Sequence, residues 1–427
     1  MSLPTDFFQY KKNTLSVDGV PLAKIAEEVG TPAYVYSAEG FLSPLRELQK
    51  GLKSIDHLVC FAVKANSNLG IIKMLEQAGA GMDLVSGGEL YRASVAGVPA
   101  KKIVFSGVGK TPGEMANALE YYNEGILSFN VESVAELEVL SAVALELGKK
   151  APVSLRYNPD VDAKTHPYIS TGLKKNKFGI QRDGIVKIAR SIKKFPGIDL
   201  RGISIHIGSQ LLSLSPLADA FGKMRDLADD LNKMLDQPLS VMDLGGGVGI
   251  TYKNEKTPPV QKYIDLILKN FGPRAGLEHP VKILIEPGRL LSGNSGVLLT
   301  EVLYRKANTA KDFLVVDAAM NDLLRPSLYG SYHEIIPVEK RTGKSKKTDI
   351  VGPVCETGDC FASDRPVSEK VVQGDLVAIL SAGAYGFTMT SNYNSRPRPP
   401  EILVQNGKFR VVRERETYDD LVNKEIV

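Results

Sequence analysis

Residues 58–66 read Leu58-Val59-Cys60-Phe61-Ala62-Val63-Lys64-Ala65-Asn66, an apolar run that ends in a lysine. A nearly continuous apolar run is typical of a parallel strand that is buried on both faces. A lysine at the end of such a strand costs free energy unless its charge is paired or its pKa is lowered. A desolvated lysine is also the amine that Schiff-base chemistry requires. Lys64 is therefore the first candidate for a catalytic residue.

Similar apolar runs recur along the chain. The candidate strands span residues 58–63, 81–85, 103–106, 126–129, 153–157, 202–207, 240–244 and 282–286. Apolar residues between them recur at helical spacing, for example over 71–78, 90–96, 134–144 and 217–228. Strand–helix alternation repeated eight times predicts an α/β fold with a (β/α)₈ barrel, of the TIM type. An open doubly wound sheet would also alternate, so the count of eight strands is what favours the barrel.

The pattern changes after about residue 293, where turns rather than helices separate the apolar runs. Runs at 297–304, 313–316, 376–380 and 409–412 predict strands of a β-rich second domain. The first thirty residues are also partly strand-like. We therefore expect a barrel domain over 32–293. Residues 1–31 and 294–427 are expected to form a β-rich domain that resembles a Greek-key barrel.

The composition excludes several classes of protein. The chain has 427 residues, of which 43% are hydrophobic and 24% charged, as in an ordinary soluble enzyme. The net charge of +4 is spread along the chain, so no nucleic-acid or membrane partner is indicated. Neither a signal peptide nor a membrane-spanning apolar stretch is evident. The three cysteines are too few for a disulfide framework, which favours the cytoplasm.

The ends of three late strands predict a phosphate site. In barrels of this kind, function collects at the C-terminal strand ends, and phosphate is often held after strands seven and eight. Consecutive glycines let backbone N–H groups converge on an anion without a side-chain clash. The three ends are His206-Ile207-Gly208-Ser209-Gln210, Asp243-Leu244-Gly245-Gly246-Gly247-Val248-Gly249 and Glu286-Pro287-Gly288-Arg289.

The same residues also suit structural roles, and the sequence leaves these alternatives open. The glycines would also fit tight turns. A Rossmann dinucleotide site is a further alternative, but it is disfavoured because the third glycine is missing at the required place. Glu286 would keep a pyridine nitrogen protonated, but it would equally pair with Arg289. A single strand histidine such as His206 is more often a packed core residue than a catalytic one. No histidines or cysteines fall at metal-ligand spacing, so no metal is expected.

Taken in order, Lys64, His206, the glycine run and the Glu286–Arg289 stretch resemble the pyridoxal-phosphate decarboxylases of the alanine-racemase-like barrel class, fold-type III. Within this class the chain is similar to the diaminopimelate decarboxylase family, from Tyr34-Val35-Tyr36 to Ser391-Asn392-Tyr393-Asn394-Ser395-Arg396-Pro397. The resemblance implies pyridoxal 5'-phosphate as the cofactor. It also implies a lyase that converts meso-2,6-diaminopimelate to L-lysine and CO₂, the last step of lysine biosynthesis.

The resemblance further implies roles for individual residues of the barrel. Lys64 would form the internal aldimine, His206 would stack on the cofactor ring, and Glu286 would bind the pyridinium nitrogen. The phosphate would be held by Ser209, Gly246 and the backbone of Gly288 and Arg289.

The family also places residues of a second subunit over the same site. Cys355 of the partner subunit would reprotonate Cα, and Tyr385 would reach the phosphate or the substrate. This implies a homodimer with shared active sites. By contrast, Cys60 lies in the middle of a strand and is expected to be structural.

The charges of these segments agree with the substrate that the resemblance implies, although the Arg325 segment taken alone would also suit a surface loop contact. Arg289 and Arg325 provide guanidinium forks for a carboxylate, Tyr329 provides a phenol, and Glu356 provides a negative group for an ammonium. Two cations and one anion complement the distal carbon of meso-diaminopimelate, which bears both a carboxylate and an amine. A polyamine-pathway decarboxylase and a cofactor-binding homologue without catalysis remain alternatives. A racemase is disfavoured, since no second tyrosine base stands in the racemase context.

Overall fold

The structure is a computed structural model that describes residues 3–162 and 176–426. It divides into two compact units. The barrel unit comprises Ser43–Ile250 and Lys256–Leu290. The β-rich unit comprises the chain up to Leu42, Thr251–Glu255 and the chain from Leu291 onward.

The strands, in chain order within the described residues, are β1 (Phe8–Lys11), β2 (Thr14–Val17), β3 (Val20–Pro21), β4 (Ala33–Ser37), β5 (His57–Ala62), β6 (Gly81–Leu84), β7 (Ile103–Phe105), β8 (Ser128–Val131), β9 (Ala151–Arg156), β10 (Ile198–Ser204), β11 (Val241–Asp243), β12 (Lys282–Ile285), β13 (Gly296–Ala307), β14 (Asp312–Val316), β15 (Ile335–Pro337), β16 (Ser345–Val351), β17 (Cys360–Ser368), β18 (Leu376–Ile379), β19 (Glu401–Gln405) and β20 (Lys408–Arg413).

The α-helices of the same residues are α1 (Leu22–Val29), α2 (Ala38–Gly51), α3 (Leu69–Gln77), α4 (Gly87–Val95), α5 (Pro112–Glu120), α6 (Val134–Glu146), α7 (Arg182–Arg190), α8 (Ser215–Asn232), α9 (Val260–Phe271), α10 (Arg289–Ser292), α11 (Arg325–Tyr329) and α12 (Tyr418–Val422). None of them combines the length and the apolarity that crossing a membrane requires.

The barrel unit is built on a closed barrel of eight parallel strands, β5 to β12 in sequence order, closed by the pairing of β12 with β5. The predicted (β/α)₈ barrel is therefore confirmed. All eight predicted strands are present, with ends that differ from the prediction by at most four residues. The helices predicted over 71–78, 90–96, 134–144 and 217–228 correspond to α3, α4, α6 and α8.

Local sequence signals explain where barrel helices begin. The side chains of Ser86 and Ser133 accept hydrogen bonds from backbone N–H groups in the first turns of α4 and α6. Thr111 and Glu114 form a reciprocal capping box at the start of α5. Such caps satisfy N–H groups that have no partner within the helix.

The barrel interior is packed with apolar side chains. Cys60 on β5 is fully buried and forms a cluster with Val104, Val241 and Leu284. Burial raises the pKa of its thiol well above the ordinary value. This packing is what a structural cysteine requires.

The β-rich unit has two sheets. A nine-stranded, mostly antiparallel sheet follows the path β17-β16-β14-β13-β4-β19-β20, with β18 paired to β13 and β15 paired to β18. A three-stranded sheet consists of β1, β2 and β3. Buried apolar residues from both sheets, including Phe8, Leu15, Val35, Val297 and Ile402, form one core cluster. The strands predicted after residue 293 are present as β13, β14, β18 and β20.

One position of the barrel has room only for glycine, because neighbouring strands approach each other closely there. Gly202 lies on β10 beside a register shift in its pairing with β9. A Cβ atom at this position would lie 2.4 Å from the carbonyl oxygen of Val241. The strand backbone would have to move to admit it.

We expect Gly202→Ala to lower the free energy of unfolding by roughly 1–3 kcal/mol, because overpacking displaces backbone. The matched control is Gly222→Ala, since Gly222 lies inside α8 and an added Cβ there meets no atom within 4 Å. The control should raise the free energy of unfolding by up to about 1 kcal/mol. Urea unfolding followed by circular dichroism measures both, and equal changes in the two variants would contradict the packing argument.

Candidate active site

Lys64 lies in a 3₁₀ turn, Val63–Ala65, directly after β5. Its Nζ forms an ion pair with Asp83 Oδ2 at 2.9 Å. Asp83 belongs to the neighbouring strand β6 and is fully buried, while about a third of the lysine side chain remains exposed. The charge of the lysine is thus paired, and a paired charge is one of the two ways in which a lysine at the end of a buried strand can be tolerated.

A cavity of ≈ 300 Å³ opens at this end of the barrel. Its lining combines charged or polar side chains with apolar ones. The polar members are Lys64, Ser106, Asn130, Arg156, Ser204, His206 and Glu286. Each of them lies in or directly after a barrel strand, so the convergence of parallel strand ends assembles the cavity.

His206 follows β10, and its ring belongs to the cavity lining. The backbone N–H of Gly246 donates to its Nδ1 over 3.3 Å. Burial, and then the positive charges of Lys64 and Arg156, lower the pKa of the imidazole well below its ordinary value. The ring is therefore neutral at physiological pH, and with Nδ1 as an acceptor its proton resides on Nε2.

Two acidic residues lie at the ends of the paired strands β11 and β12. Asp243 is the last residue of β11 and Glu286 follows β12, and both are buried. Burial is the main cause that raises the pKa of each carboxyl group. The Asn130 amide donates from Nδ2 to Asp243 Oδ2 over 2.8 Å and to Glu286 Oε1 over 3.3 Å.

The glycine run after β11 has no room for side chains. A Cβ atom on Gly246 would lie 2.1 Å from the carbonyl oxygen of Glu286. Gly247 has a φ of +109°, and its Cβ would lie 2.3 Å from the carbonyl oxygen of Gly208. Glycines are therefore required here, which leaves the backbone of the run open to a ligand.

The loops after β10, β11 and β12 are linked to one another. The Gln210 side chain pairs with the backbone of Ile250, donating to its carbonyl oxygen over 2.6 Å and accepting from its N–H over 3.2 Å. Arg289 is buried and donates from Nη2 to Ser209 Oγ over 3.2 Å. The structure thus brings together the predicted cofactor-binding residues of the barrel. They are Lys64, His206, Ser209, Gly246, Glu286, Gly288 and Arg289.

The other predicted site residues lie in the β-rich unit. Cys355 and Glu356 are exposed on the loop between β16 and β17. The Cys355 N–H donates to Asn394 Oδ1 over 3.1 Å, and Tyr393 Oη donates to Glu356 Oε2 over 2.9 Å. Tyr385 follows β18 and has a φ of +55°, a conformation that is rare for a non-glycine residue.

Arg325 begins α11 and is held between aromatic rings. Its guanidinium lies 5.3 Å from the centre of the Tyr252 ring and 5.9 Å from that of Tyr329. Its Nη2 also donates to Ser331 Oγ over 3.2 Å. These contacts fix the direction of a guanidinium that is itself buried.

Several polar residues of the cavity region were not predicted from the sequence. Asp83, Asn130 and Asp243 lie inside short buried strands, where a polar residue among apolar ones is a signal that was available. Arg156 ends β9, and its Nη1 donates to Glu132 Oε1 over 2.7 Å. A search for polar residues within the apolar strands, not only after them, would have found all four.

Asp359 is a further residue that was missed. Its side chain is buried and accepts from the Met320 N–H over 2.6 Å and from the Val354 N–H over 2.7 Å. Met320 precedes the Arg325 segment, and Val354 precedes Cys355. One carboxylate thus joins the two segments, and Gly352 is required beside it because a Cβ there would lie 2.4 Å from Asp359 Oδ2.

We expect Asp359→Ala to leave these two buried N–H groups without an acceptor, at a cost of about 1–3 kcal/mol each. Amide hydrogen exchange at Met320 and Val354 should then be at least about tenfold faster, while barrel amides keep their rates. Asp419→Ala, on the exposed face of α12, is the matched control. Unchanged exchange at Met320 and Val354 would contradict the assigned role of Asp359.

Residues 41–293 match the family described as pyridoxal-dependent decarboxylase, pyridoxal binding domain. The chain is 46% identical over 418 residues to a diaminopimelate decarboxylase of Aquifex aeolicus, covering 97% of this chain and 96% of that relative. It is 48% identical over 417 residues to the diaminopimelate decarboxylase of Pseudomonas fluorescens, covering 97% and 98%.

A solved structure gives the same result for the fold. The diaminopimelate decarboxylase from M. jannaschii, in co-complex with L-lysine, has a TM-score of 0.92 at 38% identity. The match covers 100% of this chain and 99% of that one. By fold and by sequence over nearly its whole length, the chain belongs to the diaminopimelate decarboxylase family of pyridoxal-dependent decarboxylases.

Proposed function

We propose that the protein decarboxylates meso-2,6-diaminopimelate to L-lysine and CO₂, with pyridoxal phosphate held in the barrel cavity. As a member of its family it is a carboxy-lyase that uses this cofactor. The observation that carries the placement is the Lys64–Asp83 pair at the cavity, since it presents an amine at the end of a buried strand. The relative from M. jannaschii was solved with L-lysine, the proposed product.

The cavity fits a ring that carries polar groups and a phosphate. Among the described residues, Asn130 Oδ1 and Ser204 Oγ are buried without a hydrogen-bond partner, and both residues line the cavity. Such atoms require a polar ligand or water. The side-chain-free backbone at Gly246 and Gly247 suits an oxyanion, and the Arg289–Ser209 pair places a positive charge and a hydroxyl in the adjacent loop.

When bound, the cofactor supplies an electron sink for the electron pair that remains at Cα as CO₂ leaves. Lys64 Nζ would bind its aldehyde carbon, with Asp83 orienting the amine. Glu286 would bind the ring nitrogen, and the His206 ring would stack on one face. Because its low pKa keeps His206 neutral, this stacking adds no positive charge that would compete with the ring nitrogen for Glu286.

Proton delivery and substrate recognition are assigned to the β-rich unit. Cys355 of the partner subunit would hold the proton that Cα receives, so the active enzyme is proposed to be a homodimer. Its exposed loop position makes the thiol available to another chain. Arg325 and Tyr329 would bind the distal carboxylate, Tyr385 and Glu356 of the partner subunit would contact the substrate, with Glu356 binding the distal ammonium, and Arg289 of the barrel unit would add a second guanidinium.

Lys64→Ala should reduce CO₂ release from meso-diaminopimelate by more than about 10³-fold, since the covalent anchor of the cofactor is lost. Borohydride reduction of the wild type followed by peptide mass spectrometry should find the cofactor on Lys64. Lys73→Ala, an exposed lysine of α3, is the control and should retain full activity. Full turnover by Lys64→Ala, or cofactor attached to another lysine, would refute the placement.

Arg325→Ala should weaken recognition of the distal carboxylate. Loss of a charge-assisted hydrogen bond corresponds to roughly a 10- to 100-fold fall in kcat/KM for meso-diaminopimelate. D-lysine keeps the D-configured carbon that reacts but lacks the distal carboxylate, so its kcat/KM should change little, and the ratio of the two values reports the effect. Arg341→Ala, whose partner is Asp375, is the control. A parallel loss for both substrates would contradict this role, and preference for L-arginine or carboxynorspermidine would favour a polyamine-pathway enzyme.

A further inference from the structure

The carboxyl groups of Asp243 and Glu286 share one hydrogen-bond network. Both lie within hydrogen-bond distance of Asn130 Nδ2, which donates to Asp243 Oδ2 over 2.8 Å and to Glu286 Oε1 over 3.3 Å. Asp243 also accepts from the Gly245 N–H at Oδ1 over 3.0 Å. Asp243 has no exposed surface, and only 6% of Glu286 is exposed.

The network requires one proton between the two acids. Two carboxyl groups that are buried around the same amide nitrogen repel each other when both are ionised, so one of them holds a proton. Asp243 already accepts one hydrogen bond from an N–H group at each oxygen, at 2.8 and 3.0 Å, which favours its ionised form. The donors to Glu286 lie farther away, at 3.3 Å for Asn130 and 3.5 Å for Ser106. The proton therefore resides on Glu286.

We propose that Asp243 is a positioning residue that keeps one proton on Glu286, and that Glu286 donates this proton to the pyridine nitrogen of the cofactor. The inference rests on the proposed function, because it needs the ring nitrogen at Glu286. The O–H bond of Glu286 breaks and an N–H bond forms at the ring, so the three groups hold one proton before and after. Asp243 then adds a second negative charge, which favours the protonated nitrogen.

The other ionisable groups around the pair do not supply this proton. Asp83 on β6 adds negative charge, and Lys64 after β5 opposes it. Cys60 on β5 and Tyr263 on α9 are buried, and burial raises the pKa of both, so they stay neutral. Burial together with the charges of Asp243 and Asp83 accounts for the raised pKa of Glu286, in agreement with the geometry.

The first test follows the ring nitrogen of the holoenzyme by ¹⁵N NMR with ¹⁵N-labelled pyridoxal phosphate across pH. In the wild type the nitrogen should stay protonated into the alkaline range. In Asp243→Asn it should lose its proton about one to three pH units earlier, because one of two facing negative charges is gone. Asp265→Asn, on the exposed face of α9, is the matched control and should titrate as the wild type.

The second test needs no cofactor and uses the full chain after its removal. A buried acid with a raised pKa binds more protons in the folded state than in the unfolded chain above the ordinary carboxyl pKa. Its contribution to stability therefore falls as pH rises, through a window between that ordinary value and the raised one. Asp243→Asn should reduce this fall, because the neighbouring negative charge that raises the pKa of Glu286 is gone. Asn130→Ser removes a hydrogen-bond donor to the ionised carboxylates of Asp243 and Glu286. In that variant the fall in stability should extend to higher pH.

Asp243→Asn and Asn130→Ser should change the pH dependence of stability in opposite directions. A general loss of packing would change it in the same direction in both variants. The ring nitrogen could titrate alike in Asp243→Asn and the wild type while the variant folds normally by circular dichroism. That result would overturn the inference about Asp243 and leave the proposed function standing. A nitrogen that stays protonated in Glu286→Gln as in the wild type would overturn the inference together with the placement of the cofactor. The cofactor-free measurement tells these failures apart, because it reads the acid pair without the ring.

Discussion

The pairing of β12 with β5 is the constraint on which the site depends. It joins the first and last strands of the barrel, with Ile285 opposite Val59, and the Ala62 N–H donates to the Pro287 carbonyl oxygen over 3.3 Å. Lys64 and Glu286 are more than two hundred residues apart in the sequence, yet they follow these two paired strands. Without closure, the amine and the acid that the chemistry needs would stand at opposite edges of an open sheet.

Closure of the barrel also brings several charged side chains together in a region where most of them are buried. The cavity region holds the cations Lys64 and Arg156 and the acids Asp83, Asp243 and Glu286. Burying charges is tolerated when each is paired, hydrogen-bonded or neutralised by a proton. The structure shows the first two solutions, since Lys64 is paired with Asp83 and Asn130 donates to both Asp243 and Glu286. The proposed proton on Glu286 would be the third.

The sequence predicted the barrel well because its strands are short apolar runs and its helices have clear periodicity. Residues directly after the strands, such as Lys64, His206 and Glu286, were found because they interrupt the apolar pattern at its end. Asp83, Asn130 and Asp243 were not found, since inside a strand the facing partner decides whether a polar residue is tolerated, and that partner is distant in sequence. The role of Asp359, which lies before a strand, was not predicted because one of its partners, the Met320 N–H, is distant in sequence. The domain boundaries, the residue roles and the dimer stay predictions.

Asp359 has a consequence for how the β-rich unit can respond to a ligand. Each of its two oxygens accepts from the backbone of a different segment, so one carboxylate connects the Arg325 segment to the Cys355 segment. On the proposed roles, the same side chain would connect substrate recognition by Arg325 in one active site with proton delivery by Cys355 in the partner's active site.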